Sequence, residues 1–168
     1  MANWCRYCTG SYPYYCALSG ERISNDYYCK NDGYKCPVYE QYAPYYVTCT
    51  ACLILDKDEN DKVYSNIRSL KDNYMAKDEK YSEDIANYDL IGRYLSVMMV
   101  QDRNKVKVAE KVYSVLEKIS TYVEQEKIDE AVNNYKKMVT ILMKKYNLNE
   151  LYEKKSKKQG IMVKTLAL

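Results

Sequence analysis

A mainly α-helical chain, fronted by a small cysteine-rich module stapled by a metal ion, is the fold class this sequence predicts. Three observations carry it. Composition changes abruptly near residue 53: all seven cysteines and all three prolines precede that point, and Lys, Glu, Leu, Val, Ile and Met dominate after it. Apolar residues in the later part recur with the 3.6-residue period of a helix. Five cysteines fall between residues 5 and 36, in a stretch where long aliphatic residues are scarce and tyrosine is common. The division that follows is a cysteine- and tyrosine-rich module over 1–48, an antiparallel bundle of about four helices over 49–146, and a lysine-rich, flexible tail over 147–168.

The front module needs something other than burial to hold it. Between its cysteines lie the turn-forming stretches TGSYP, LSGER and NDGYK, whose glycine and Asn-Asp signals suit tight turns or hairpins that carry the thiols inward. Cys5 and Cys8 form a Cys-x-x-Cys knuckle, a spacing that lets two thiolates reach one ion, and Cys16, Cys29 and Cys36 follow at loop-length intervals. Tetrahedral zinc takes four sulfurs, so four of these five are the expected ligands. A segment this short without an aliphatic core rarely folds alone, and metal binding worth on the order of ten kcal/mol stabilises it. Two alternatives use the same residues. An iron–sulfur cluster is ligated by thiolates too, although the wide spacings here differ from a compact ferredoxin run. Reduced cysteines can also pack as small hydrophobes without metal.

Residues 37–48, with two prolines, read as the connection. A second Cys-x-x-Cys, Cys49 and Cys52, sits where the chain enters helical sequence. At a helix start such a pair suits dithiol redox chemistry or a second metal pair, but no thioredoxin-like alternation of strand and helix surrounds it, and small residues packing a helix start is the leading reading. The run DKDENDK places Asp56, Asp58 and Asn60 at alternate positions, as a calcium loop would. Asp61 stands where that loop needs glycine and Ile67 where it needs glutamate, so a solvated loop and helix start is expected instead.

The helices follow in order. Val63, Ile67, Leu70 and Tyr74 predict a helix near 60–76. Ile85, Tyr88, Leu90, Ile91, Tyr94, Leu95, Met98 and Met99 give a broad apolar face over 82–99. A third stripe runs from Val106 through Ala109, Val112, Tyr113, Leu116, Ile119 and Ser120 to Val123. The fourth, over 127–146, holds Ile128, Ala131, Val132, Tyr135, Met138, Val139, Leu142 and Tyr146, with Asp129 near its start and Lys144 and Lys145 near its end, as the helix dipole favours.

Composition also excludes. The chain has 21 tyrosines, no phenylalanine and no histidine. Without histidine there is no Ser-His-Asp triad and no imidazole ligand, so catalysis, if any, falls to cysteine, carboxylate, lysine or tyrosine. A net charge of +3 with mixed signs is a weak signal for nucleic acid. The uncharged stretches are too short for a membrane span and no signal region leads the chain, which predicts a cytoplasmic protein whose thiols stay reduced or metal-bound.

The stretch YYVTCTACLILDKDENDKVYSNIRSLKDNYM resembles the cysteine-containing helical segment of bacterial CFI-box proteins, in which a Thr/Ala-rich run ending in cysteine precedes Leu-Arg-x-Phe-Arg-Asp-x-Tyr-Leu. The second motif corresponds to Ile67, Arg68, Leu70, Lys71, Asp72, Tyr74 and Met75, whereas TCTAC is shifted relative to the family's run. The front segment also resembles small cysteine-cluster modules of Firmicute proteins and their phages. These resemblances imply a metal-stapled head on a helical body from a bacterial or phage source, with no established activity. Arg68 and Asp72, four apart, read as an ion pair along one helix face.

Function expected from the sequence is a non-enzymatic zinc-binding interaction protein. By analogy with phage proteins, it acts as an adaptor or inhibitor of a protein partner. Tyr7, Tyr14, Tyr15, Tyr27, Tyr28 and Tyr39 would form the contact surface, because tyrosine offers large area at low entropic cost. The alternatives are a zinc-ordered nucleic-acid-binding module, with aromatics stacking on bases and the tail lysines on phosphates, and an iron–sulfur or dithiol redox protein.

Overall fold

The structure is a computed structural model that describes residues 8–9, 14–16, 22–23, 46–57 and 60–158. Three short strands come first: β1 (Cys8–Thr9), β2 (Tyr14–Cys16) and β3 (Arg22–Ile23), paired antiparallel in that order. The remainder of the described chain is helical, and the metal-stapled module as a whole lies outside the described residues.

Helix α1 (Tyr46–Ile54) occupies the centre, packed against α3 (Ser82–Gln101) and α4 (Lys105–Glu124). Six consecutive residues, Val47 to Cys52, are buried, so this short helix is enclosed on every side rather than on one stripe. Threonine is a poor helix former, but Thr50 places its hydroxyl on the carbonyl of Tyr46 at 2.7 Å, which satisfies the polar group inside the core. A small residue on the partner helix admits α1: a Cβ on Gly92 of α3 would overlap the Tyr46 ring.

Helix α2 (Lys62–Ser69) begins at Asp61, whose carboxylate accepts from the backbone N–H of Val63 at 2.9 Å and Tyr64 at 3.2 Å. This N-cap is what the acidic run supplies in place of a calcium loop. The expected single helix over 60–76 does not continue regularly. A π-helical turn spans Leu70–Tyr74, with the Met75 N–H bonded back to the Leu70 carbonyl, and two 3-10 turns, Met75–Lys77 and Glu79–Tyr81, lead into α3.

Helices α3, α4 and α5 (Ile128–Lys145) match the three remaining stripes, with Leu95, Met99, Leu116 and Ile119 fully buried. Val106, counted on the third stripe, is instead 49% exposed at the first turn of α4. Where a tail is expected, residues 149–158 form α6 (Asn149–Lys158), which packs on α3. Its anchors are Leu148, Tyr152 and Ser156, all buried and spaced by four, while the lysines between them face outward.

Three helices end alike. Asp56, Glu126 and Asn147 adopt positive φ of 52°, 57° and 55° just past α1, α4 and α5. The next residue's N–H then reaches back five positions: Lys57 to Cys52 at 2.8 Å, Lys127 to Tyr122 at 2.9 Å and Leu148 to Met143 at 2.9 Å. This is the Schellman pattern, executed without glycine at a cost of about 1 kcal/mol or more per left-handed residue. Tyrosines clasp the helix ends as well. The hydroxyl of Tyr81 donates to Asp129 at 2.5 Å, that of Tyr113 to Asp61 at 2.7 Å and that of Tyr146 to Asp102 at 2.9 Å.

Candidate functional site

The predicted site residues divide into three groups. Cys5, Cys29, Cys36, Tyr7, Tyr27, Tyr28 and Tyr39 lie outside the described residues. Cys8 and Cys16 are placed by the backbone: the β1–β2 register sets them directly opposite each other, with Tyr14 and Tyr15 on β2 beside them. Opposed residues of an antiparallel pair have Cα atoms about 4.5–5.5 Å apart. Among the described residues, no group of three or more Cys, His, Asp or Glu is arranged to hold a metal ion.

The third group, Cys49 and Cys52, is part of the core. Both are free thiols, 3% and 6% exposed, in the middle of α1 rather than at its start. Cys49 donates to the Tyr64 hydroxyl at 3.3 Å. Burial, followed by the nearby Asp61 carboxylate, pushes the Cys52 thiol up to about 12. Dithiol exchange and metal ligation both need thiolate, which this environment disfavours at Cys52, and both side chains pack within the core. Arg68 and Asp72 are both exposed, and neither is in the lining of the cavity between the π turn, α3 and α5.

A feature absent from the sequence reading is a cavity of about 280 Å³ between the π turn, α3 and α5. Its apolar lining includes Ile67 and Leu70 from the first segment, Ile91 from α3, and Val139 and Met143 from α5. Tyr88 and Tyr135 also line it, ring edge against ring face at 5.2 Å. Their hydroxyls are spoken for: Tyr135 donates to Tyr88 at 2.8 Å, Tyr88 accepts from the Val47 N–H at 2.9 Å, and Thr48 shares a bond with Tyr135 at 3.0 Å. Burial pushes the Tyr135 phenol up to about 12 and the Tyr88 phenol well above its ordinary value, so both stay neutral.

The polar part of the lining is charged. Lys71, Lys80 and Lys136 contribute cations, Glu83 and Asp84 carboxylates. Lys136 holds Asp84 at 2.7 Å, whereas Lys71 and Lys80 are tied to Asp89 at 2.9 Å and Asp129 at 3.2 Å, neither of which lines the cavity. The lining contains no Ser, Thr, Cys or His and its phenols are held neutral, so its charged groups are three lysines and two carboxylates. The cavity is walled largely by apolar side chains, with charges of both signs among its lining.

Among the described residues the fold is a helical body that holds this cavity between its π turn, α3 and α5. No known family, curated protein or solved structure matches this chain. No described helix is long and apolar enough to cross a membrane.

Proposed function

We propose that the protein is a non-enzymatic interaction protein in which a zinc ion, held by four of Cys5, Cys8, Cys16, Cys29 and Cys36, orders a tyrosine-rich head carried on the helical body. One observation supports this most: the two cysteines of the body are accounted for as buried core residues, so the five ahead of them belong to a separate set with no aliphatic core of its own. The register that opposes Cys8 and Cys16 is compatible with two ligands from neighbouring strands. The tyrosines of the head, Tyr14 and Tyr15 on β2 among them, are the contact surface for a protein partner. The resemblance to bacterial and phage cysteine-cluster modules points to an adaptor or inhibitor acting by contact.

Elemental analysis of protein prepared without oxygen tests the metal. About one zinc per chain is expected, retained in a Cys49→Ala/Cys52→Ala double variant and lost in Cys8→Ser/Cys16→Ser. Iron with acid-labile sulfide would replace zinc by a cluster, and absence of metal would remove the head's staple altogether.

A further inference from the structure

The cavity of the body has charges of both signs among its lining, and they are held unequally. Lys71 and Lys80 line the cavity, but the carboxylates that hold them, Asp89 and Asp129, lie outside the lining. These two lysines face the cavity while those carboxylates do not; the third, Lys136, pairs with Asp84 within the lining, where Glu83 is a second carboxylate. Lys71 shows the asymmetry best: its side chain is 18% exposed against 48% for Asp89, so the lysine is mostly buried while this carboxylate stands in water. An ion pair with one exposed member contributes little, and an incoming anion can exchange for that member at small cost. The Lys71 ammonium also lies 5.8 Å from the centroid of the Tyr88 ring, within cation–π range.

A second observation is independent of charge. Leu70, Lys71 and Met75, all of which line the cavity, come from the π turn and the residue that closes it. A regular helix through 62–77 would rotate these side chains away from a common direction. Single π turns inside helices concentrate at functional sites, because the irregular bond pattern is retained only where the re-aimed side chains serve something.

From these we infer that the cavity between the π turn, α3 and α5 binds a small amphipathic carboxylate, its hydrocarbon body inside and its carboxylate on the Lys71 ammonium at the lip. The apolar walls, Ile67, Leu70, Ile91, Val139 and Met143, suit a hydrocarbon, which puts the charged group at one end of the ligand. Size follows from volume. A cavity of about 150 Å³ accommodates benzene, so the 280 Å³ here takes roughly ten or eleven carbon atoms. The ligand class is a medium-chain fatty acid or an arylalkanoic acid of similar bulk.

Titration calorimetry on the full chain tests this with three probes of one hydrocarbon length: decanoate, decanol and decylammonium, each below its aggregation concentration. Decanoate binds saturably at one site and at least tenfold tighter than decanol, and decylammonium gives no saturable heat. Lys71→Met lowers decanoate affinity at least tenfold and leaves that of decanol unchanged. Val139→Trp, checked for native helical content by circular dichroism, abolishes both. Equal affinity for decanoate and decanol in the native protein, an unchanged decanoate affinity in Lys71→Met, or no saturable binding of any probe would overturn the inference. None of these readouts depends on zinc or on the head's tyrosines, so failure here leaves the proposed function standing, and the reverse.

Discussion

The helical body and the 45 residues ahead of it hold tyrosine in similar numbers but in different company. Ten of the 21 tyrosines lie in residues 1–45, yet Leu18, Ile23 and Val38 are the only Leu, Ile or Val there. In the body, tyrosine rings join an aliphatic core and their hydroxyls reach carboxylates across helix ends, as Tyr81, Tyr113 and Tyr146 do with Asp129, Asp61 and Asp102. A phenol in such a setting is structural: it covers apolar surface and satisfies its own polar tip. The leading segment supplies only three Leu, Ile or Val residues for its ten tyrosines. The difference teaches that tyrosine content alone says nothing of role; what surrounds the ring does.

The largest effect that can break this contrast is metal removal. Stripping the protein with a strong chelator should abolish amide protection over residues 1–45 while protection over α3 to α5 stays within a few-fold of its starting value, read by hydrogen exchange. Loss of protection in both regions together would show that the head and body are one cooperative unit. Retention in both would show that the head folds without its ion.

A smaller effect tests the structural tyrosines directly. Tyr113→Phe removes the hydroxyl bonded to Asp61 while Asp61 keeps its two N-cap bonds to Val63 and Tyr64. A hydrogen bond to a charged group at a partly buried site is worth about 1.5 kcal/mol, a fall in Tm of about 5 °C. Tyr15→Phe in the head, whose hydroxyl is assigned to a partner, should leave Tm within about 1 °C. Equal shifts in the two variants would erase the distinction between clasp and contact.

Much of the body is legible in the sequence, and the exceptions have physical causes. Helices α3, α4 and α5 announce themselves because each buries one stripe and solvates the other. Helix α1 does not: with Val47 through Cys52 all buried, its residues carry no amphipathic period, and its threonines and cysteines argue against a helix on propensity. Helix α6 reads as a tail because lysine outnumbers its three anchors, Leu148, Tyr152 and Ser156. The ends at Asp56, Glu126 and Asn147 are hidden because glycine, the usual marker of a left-handed cap, is absent from all three. The cavity is hidden for a related reason. Lys71 looks like a solvent-facing break in an apolar stripe, and only the π turn, which no residue pattern marks, aims it at the lip.

The smallest effect concerns acid, and its sign can be worked out. Asp102 is held below the ordinary carboxylate range first by the Asn104 N–H at 2.8 Å, then by Lys145 at 3.0 Å and Tyr146 at 2.9 Å. Asp129 is lowered by the Tyr81 hydroxyl and then by Lys80, and Glu124 by Lys62 and then by Asn66. A carboxyl whose folded value lies below its unfolded one stabilises fully above the unfolded value, near 4, and loses that contribution as pH falls through the folded value. The body should therefore hold its Tm down to about pH 5 with respect to these groups and decline only below about pH 4. In the proposed zinc head, thiolate ligands would take up protons in competition with the metal, so protection over residues 1–45 should fail at a higher pH than the body's helices. Hydrogen exchange or circular dichroism followed down a pH series reads both, and a body that melts before the head releases its metal would reverse the order of stability between the two regions.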